Sequence, residues 1–103
     1  MQAGLFFFAV RRSETTAWQA IMKQFVYVYI LVSEVDAAKH YTGISHHLSS
    51  RLQEHNRGHC PHTAKYKPWR IETAIAFASE TKARRFEKYL KTGSGRELAR
   101  RHF

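Results

Sequence analysis

Cysteine is nearly absent from this chain of 103 residues, where Cys60 is the single example. One cysteine excludes an intramolecular disulfide framework and suits a reducing compartment. Apolar residues make up 44% of the chain and aromatic residues 14%, which is typical of a globular protein. The length allows one compact domain with a modest core.

Long apolar runs are also missing. The run at residues 5–10 is too short to span a bilayer. It has neither a basic region before it nor a clear small-residue cleavage site after it, which argues against a signal peptide. We therefore expect a cytoplasmic protein with no membrane partner.

Acidic residues are few, with 8 Asp and Glu against 17 Lys and Arg, so the formal net charge is +9. This surplus indicates a polyanionic partner, of which nucleic acid is the commonest. A solvated basic surface and attraction to anionic lipid are the alternatives. Nucleic acid is favoured over a membrane because no predicted helix has a broad apolar face opposite a run of lysines.

The first 22 residues differ in pattern from the rest. Met22 stands directly before a well-patterned segment, so residues 1–22 are predicted to be an N-terminal extension and residues 23–103 the domain. Two interpretations of residues 1–21 are open. They are either a translated upstream extension or an extra strand or helix that packs on the domain.

Two strands are predicted at residues 25–32 and 40–44, joined as a hairpin. Both faces of the first strand are apolar, which predicts a central strand covered on both sides. A third strand is predicted at residues 71–78, with Ile71, Thr73, Ile75 and Phe77 on one face.

Helices are predicted between and after the strands. Ser45 is the expected cap of a helix at residues 46–56, and Gly58 suits the position after its C-terminus. Residues 58–69 are predicted as a loop, and Ser79 or Thr81 caps a helix that runs to about residue 91. The glycines of residues 93–95 break it, before a last helical turn or two. The fold class is α/β, in the order β-β-α-β-α.

Tyrosines on the paired strands are the first candidate site residues. Across the hairpin, the phenol of Tyr27 or Tyr29 can lie near that of Tyr41. Gly43 lies on the same face as Tyr41 and leaves space beside the phenols. Ordinary strand tyrosines and a bulge glycine would give the same pattern.

Two charged residues flank apolar stripes on the predicted helices. Arg51 borders the stripe of Leu48 and Leu52, where its guanidinium could reach over the sheet towards a phosphate. Glu87 borders the stripe on the later helix. The structural alternatives are an exposed arginine and an i, i+4 ion pair between Glu87 and Lys91.

These residues together resemble the GIY-YIG nucleases, most closely the small stand-alone bacterial members. The likeness covers roughly residues 24–96 and includes two tripeptides, Tyr27-Val28-Tyr29 and Tyr41-Thr42-Gly43. Arg51, His55 and Glu87 follow in the order and approximate spacing of the family. The resemblance implies a three-stranded, mostly antiparallel sheet flanked by helices.

The resemblance also implies phosphodiester hydrolysis with one Mg²⁺ or Mn²⁺ ion. Glu87 would be the metal ligand and Arg51 would stabilise the phosphate. Tyr29 or Tyr41 would deprotonate or position water, which requires a nearby cation to lower the phenol pKa from about 10. His55 would transfer a proton or hold a tyrosine or phosphate, unless it is a helix-surface histidine.

The tripeptides depart from the family name motif. Tyr27 replaces its first glycine, Val28 its isoleucine and Thr42 its second isoleucine. The small members carry similar changes. Many family nucleases also have an asparagine after the metal-binding glutamate, and none follows Glu87 here. A supporting contact in the active site is therefore missing or supplied by another residue.

Basic residues near the predicted site are expected to bind nucleic acid: Arg57, Lys65, Lys67 and Arg70. Trp69 is predicted to lie in the core. His55, His59, Cys60 and His62 could suggest a zinc site. Their spacing matches no standard zinc motif, so they are interpreted as loop residues.

The predicted function is a divalent-metal-dependent endonuclease acting on structured or single-stranded-containing DNA, with DNA favoured over RNA. A role in DNA repair or recombination is expected. One alternative is a non-catalytic nucleic-acid-binding domain with the same fold, and another is a scaffold whose charge serves solubility. The sequence leaves the oligomeric state open.

Overall fold

Three strands and five helices make up the computed structural model, which describes residues 12–103, with side chains from residue 17 onward. The strands are β1 (Val26–Ser33), β2 (His40–Ser45) and β3 (Trp69–Phe77). The helices are α1 (Arg12–Met22), α2 (Leu48–Asn56), the single turn α3 (Pro61–Ala64), α4 (Glu80–Leu90) and α5 (Gly93–His102). The predicted α/β class and the β-β-α-β-α order are confirmed. The loop prediction for residues 58–69 is wrong at α3, which the proline at its first position helps to start.

β1 is the central strand, as predicted. The sheet has the order β2-β1-β3, and both pairings are antiparallel. All eight residues of β1 are buried, because helices cover the sheet on both sides. The dense β-branched and aromatic composition of this segment therefore serves two cores.

The two faces of β1 carry different cores. The valine face consists of Val26, Val28 and Ile30, and it packs against Ala83 and Leu90 of α4 and against α5. The tyrosine face consists of Tyr29 and Leu31 with Trp69 of β3, and α2 covers it with the predicted stripe of Leu48 and Leu52. Each of these large apolar side chains contributes about 1.5–3 kcal/mol when it is fully buried.

A β-bulge corrects the prediction for β3. The register passes from Ile30 opposite Thr73 to Leu31 opposite Ile71, so Glu72 is the extra residue. Ile71 consequently packs on the tyrosine face, whereas Phe77 packs on the valine face. The prediction that these two residues share a face is wrong, because a strict alternation does not allow for an inserted residue.

The helix ends match the predictions in part. Ser79 caps α4 by accepting a hydrogen bond from the Lys82 amide, and Gly58 follows α2 with a φ of 79°. The prediction for Ser45 is wrong. α2 begins after His47, and the Ser45 hydroxyl accepts the His47 amide at 2.9 Å instead of capping the helix.

α5 is longer than predicted. Gly93, Ser94 and Gly95 do not separate two helices but form the first turn of α5, after a break at residues 91–92. Thr92 is the cap, and its hydroxyl accepts the Gly95 amide at 3.1 Å. Gly95 is buried against the backbone of Tyr89 and Leu90, where an added Cβ would overlap. Close packing of α4 on α5, rather than a chain break, explains this glycine.

The N-terminal segment is described from residue 12 onward, so the apolar run at residues 5–10 lies outside the described residues. Residues 12–22 are helical, and both interpretations of the segment stay predictions. The Tyr27 hydroxyl donates to the Met22 carbonyl at 3.4 Å. The division at residue 22 stays a prediction. Within residues 12–103, no helix is both long and apolar enough to cross a membrane.

Candidate active site

Tyr29 and Gly43 are opposite each other on β1 and β2, and their fit decides where the phenol lies. A Cβ on Gly43 would be 2.5 Å from Tyr29 Oη and 3.0 Å from the Tyr41 ring. The space predicted above Gly43 is therefore occupied by the Tyr29 phenol itself. The Tyr29 and Tyr41 ring centroids are 6.4 Å apart, which confirms that two phenols meet across the hairpin.

A buried chain of hydrogen bonds runs from the sheet into α2 and α3. Tyr29 Oη is 3.0 Å from His55 Nε2, and His55 Nδ1 is 2.8 Å from Thr63 Oγ1. Thr63 donates its only hydroxyl proton to the Cys60 carbonyl, at 3.3 Å, so it must accept the proton of His55 Nδ1. His55 Nε2 is then the acceptor for the Tyr29 hydroxyl.

Burial favours the neutral forms of both partners. It raises the pKa of Tyr29 from 10.0 to about 12, although the neighbouring Arg51 partly offsets this. Burial, followed by the positive charge of Arg51, lowers the pKa of His55 below its ordinary value. At neutral pH a phenol therefore donates to a neutral imidazole. The interpretation of His55 as a surface histidine is wrong, because it is 0% exposed.

Tyr41 and Arg51 form the outer part of this cluster. The Tyr41 ring centroid is 4.9 Å from that of His55, and the Arg51 side chain is 41% exposed. Arg51 Nη1 is 2.9 Å from a carboxylate oxygen of Glu54. Arg51 Nε is buried and makes no hydrogen bond of good geometry among the described residues, while the guanidinium is close enough to Tyr29 to lower the pKa of that phenol. A buried donor without a partner is costly, so this atom is suited to an anionic ligand.

The floor of the cluster is held by residues that the sequence did not single out as site residues. Trp69 is 4% exposed, which confirms its predicted core position, and its Nε1 donates to the Thr63 carbonyl at 2.8 Å. The Asn56 side chain accepts the Trp69 amide and donates to the Trp69 carbonyl. These bonds fix α3 beneath His55. Pro61 was a signal for the turn, but nothing in the sequence pattern indicates that Thr63 faces His55.

Glu87 belongs to a helix on the other side of the sheet from this cluster. It belongs to α4, which packs on the valine face, whereas Tyr29 and α2 occupy the tyrosine face. Its side chain is 19% exposed, and a carboxylate oxygen is 2.7 Å from Lys91 Nζ. The ion pair that the sequence offered as a structural alternative is therefore present. The metal-binding role stays a prediction.

No group of three or more His, Cys, Asp or Glu side chains suited to a metal occurs in the part of the chain that the structure describes. The zinc arrangement around His55 does not form, since both ring nitrogens of His55 are hydrogen-bonded to Tyr29 and Thr63. Mg²⁺ is commonly held by one or two carboxylates together with water and substrate phosphate. A lone Glu87 carboxylate fits that kind of site.

The predicted nucleic-acid contacts are all exposed, but they do not form one patch. Arg57, Lys65 and Lys67 lie around the C-terminal end of α2 and around α3. Arg70 follows Trp69 on β3 and is paired with Val32, so it belongs to the opposite side of the sheet. Lys65 Nζ is 5.5 Å from the centre of the Tyr66 ring.

Of the motif residues, Tyr27 and Val28 are buried in β1, at 8% and 1% exposure. Thr42 is paired with Ile30 and so belongs to the valine face. These residues shape the sheet, and Tyr29 and Tyr41 supply the two phenols of the cluster. Phenols, an imidazole and a guanidinium next to one another are typical of a site for acid–base chemistry on a phosphate.

Residues 25–100 match the family model of the GIY-YIG catalytic domain. The match covers most of the 103 residues, so the chain belongs to the GIY-YIG family. This is a superfamily of nucleases, which are hydrolases, so the chain carries a nuclease-type domain with nucleic acid as its substrate class. Searches of curated proteins and of solved structures found no match.

Proposed function

We propose that this protein is a divalent-metal-dependent endonuclease that hydrolyses phosphodiester bonds in DNA. One observation carries the proposal. The unpartnered Nε of Arg51 lies beside the hydrogen-bonded chain of Tyr29, His55 and Thr63. An anion-binding donor next to a proton acceptor is what hydrolysis of a phosphodiester requires.

Arg51 binds the scissile phosphate in this proposal. Its guanidinium keeps a buried donor free while Glu54 holds Nη1 in place. Negative charge accumulates on the phosphate oxygens as water attacks phosphorus. A fixed donor for that charge contributes roughly 10²–10³ in rate.

Tyr29 and His55 receive the proton of the attacking water. As the new P–O bond forms, the water proton moves to Tyr29 Oη and the phenol proton moves to His55 Nε2, 3.0 Å away. The P–O bond to the leaving oxygen breaks, and that oxygen takes a proton from solvent. With the pKa of Tyr29 at about 12, a phenolate does not accumulate beforehand, so both protons move as the bond forms.

Glu87 would hold one Mg²⁺ or Mn²⁺ ion, since its carboxylate is a hard oxygen donor. When bound, such an ion supplies positive charge for the phosphate and for the leaving oxygen. Lys91 is the present counter-charge of Glu87. Lys91 is 50% exposed whereas Glu87 is 19% exposed, so a divalent ion in place of Lys91 would supply the positive charge that this half-buried carboxylate needs.

We further propose DNA over RNA, and structured or single-stranded-containing DNA over a plain duplex, with a role in repair or recombination. The resemblance to small stand-alone bacterial nucleases supports this choice.

The test is cleavage of labelled branched, flapped, single-stranded and duplex DNA, and of matching RNA, with magnesium or manganese. Arg51→Ala should lower the rate roughly 10²–10³-fold. Glu87→Gln should abolish the metal-dependent rate. The matched controls are Arg84→Ala and Glu80→Gln, which alter exposed residues of α4. Cleavage that is equal in Glu87→Gln and Glu80→Gln would refute the metal site, and no cleavage by the parent protein would refute the enzyme.

A non-catalytic nucleic-acid-binding domain is the second candidate. The ion pair of Glu87 with Lys91 favours it, because it gives the acid a purely structural partner. This candidate predicts DNA binding that Arg51→Ala weakens, together with no cleavage of any substrate at any metal concentration.

A further inference from the structure

A cleft of about 790 Å³ opens on the valine face, away from the hydrogen-bonded chain of Tyr29. It lies between α5, the C-terminal end of α4 and the β2 side of the sheet. Its apolar lining includes Ile30, Leu90, Ala99 and Phe103. Phe103 is 43% exposed, so an aromatic ring is available at this cleft.

Cations dominate the charged residues that line the cleft. They are Lys39, Lys91, Arg96 and Arg100, against one acidic side chain, that of Glu72. The Lys39 ammonium lies 5.2 Å from the centre of the Tyr66 ring, so Lys91, Arg96 and Arg100 are the cations available to a ligand. The β-bulge introduces Glu72, and His40 lies 3.5 Å from it. The acid therefore has a partner of its own within the lining.

The contacts that these cations already make leave them accessible to a ligand. Among the side chains that the structure describes, from residue 17 onward, Arg96 has no ion-pair partner. Lys91 pairs with Glu87, and Arg100 pairs with Glu97, which is 50% exposed. Because the pair of Arg100 with Glu97 is exposed, replacing its carboxylate by a phosphate costs little.

An apolar floor with an aromatic ring and a cationic rim is the arrangement that binds unpaired nucleotides. Bases stack on aromatic side chains while lysines and arginines follow the phosphates. A base stacked inside a duplex cannot enter a cleft between a helix and a sheet. Ligand pockets of about 300–1,000 Å³ enclose molecules of drug size, which is the scale of one or two nucleotides.

The cleft adjoins the ion pair of Glu87, because Lys91 lines the cleft and its Nζ is 2.7 Å from the Glu87 carboxylate. Tyr41 lines the cleft from the edge strand β2, although its ring packs on the tyrosine face, with its centroid 4.9 Å from that of His55. A strand in the cleft therefore lies beside Glu87, the predicted metal ligand, and reaches the tyrosine face around the edge strand β2.

We propose that this cleft is a subsite for one or two unpaired nucleotides of the strand that is cut. The proposal rests on the proposed nuclease function and deepens it, because it assigns the binding of an unpaired segment next to the scissile bond to a particular site in the fold. Phe103 stacks on a base, and Arg96 and Arg100 bind the adjoining phosphates.

The test is binding rather than cleavage. Fluorescence anisotropy is measured in EDTA with labelled single-stranded, duplex and abasic oligonucleotides of equal length. Arg96→Ala combined with Arg100→Ala should weaken single-strand binding and reduce the salt slope by about 1.4, since each contact contributes about 0.7. Phe103→Ala should weaken it by about 5–150-fold, the value of one stacked base. Arg101→Ala is the matched control, on the same helix and outside the cleft lining.

The abasic oligonucleotide isolates the base. It should bind the parent protein more weakly than the complete strand, and Phe103→Ala should remove that difference. Equal effects of Arg101→Ala and of the double variant, or unchanged binding in Phe103→Ala, would overturn the subsite. So would a dimer that Phe103→Ala dissociates, since a second copy would then fill the cleft.

The two proposals fail differently. If duplex and single-stranded DNA bind, but the cleft variants behave as the parent protein does, the subsite is refuted and the nuclease proposal stands. If no oligonucleotide binds at low salt, both are refuted.

Discussion

His55 can accept a proton from Tyr29 only while its imidazole is neutral. Because burial lowers the pKa of His55 below its ordinary value of about 6.5, the neutral form persists into mildly acidic solution. Activity should be constant at neutral pH and fall only as the pH drops through this lowered pKa. Cleavage rates from about pH 8 to about pH 5 will measure this fall, which is the acid limb of the pH profile. A limb retained unchanged in His55→Gln would contradict the assignment.

The pH dependence of the free energy of unfolding should also reflect the lowered pKa of His55. The unfolded chain takes up a proton on His55 near pH 6.5, whereas the folded protein resists it. The free energy of unfolding therefore falls as the pH drops from about 6.5 towards the lowered pKa, and this loss levels off below it. Denaturant unfolding of the parent protein and His55→Gln, compared at each pH, isolates this contribution from the other histidines.

Thr63 fixes which nitrogen of His55 carries the proton. Thr63→Val keeps the shape of the side chain but removes the oxygen that accepts the proton of His55 Nδ1. His55 Nε2 is then no longer held as the unprotonated nitrogen that accepts the Tyr29 hydroxyl. An unpartnered buried donor costs about 1–3 kcal/mol, and we expect a fall in kcat of about 5–150-fold. Thr63→Ser should recover most of the rate.

Two measurements separate positioning from general destabilisation in this series. Thr73→Val, at a half-buried position of β3, is the matched control and should leave kcat unchanged. Thr63→Val should also shift the acid limb of the pH profile, whereas a merely structural loss would scale the profile without moving it.

At the scale of the element, the contact of α4 with α5 depends on one glycine of a pair. Gly95 faces the backbone of Tyr89 and Leu90, while a Cβ on Gly93 meets nothing within 4 Å. Gly95→Ala should lower the free energy of unfolding by about 1–3 kcal/mol through overpacking. Gly93→Ala should be neutral or stabilise by up to about 1 kcal/mol, because alanine favours the helix.

Thermal and urea unfolding of these two variants supply the measurement. Each alanine adds one methyl to the first turn of the same helix, so the comparison cancels the change in helix propensity. Equal stabilities would mean that α5 does not approach α4 as closely as the structure has it.

The periodicity of the sequence predicted some helices and strands correctly and missed other features of them. The apolar composition of β1 predicted a central strand, and the i, i+4 spacing of Leu48 and Leu52 predicted the inward side of α2; both are confirmed. The bulge at Glu72 and the glycine turn of α5 were not predicted. Both depend on contacts with another element, and a local pattern contains no information about those contacts.

At the scale of the whole molecule, the net charge of +9 should govern binding to nucleic acid. Exposed cations lie on both sides of the sheet, with Lys65 and Lys67 near α3 and Arg96 and Arg100 on α5. The logarithm of the binding constant for duplex DNA should fall linearly with the logarithm of the salt concentration, with a slope of about −0.9 for each phosphate contact.

Anisotropy titrations across a salt series will measure that slope. Charge that served only solubility, as in a scaffold, would give weak binding at every salt concentration. A steep slope with Lys65→Ala and Lys67→Ala each reducing it by about 0.9 would assign these lysines to phosphates.

The sequence by itself determined the family, the three strands and the identity of the tyrosines, because these depend on short-range alternation and on residues in a fixed order. Only the tertiary structure decided what each group touches. Thr63 reaches His55 through a turn eight residues further along the chain, and Arg51 is left with a buried donor beside Tyr29. Glu87 lies on the helix of the other face, because packing layers assign neighbours that spacing along the chain cannot. Hydrogen-bond partners and burial set the protonation of Tyr29 and His55, and both arise only when separate elements meet.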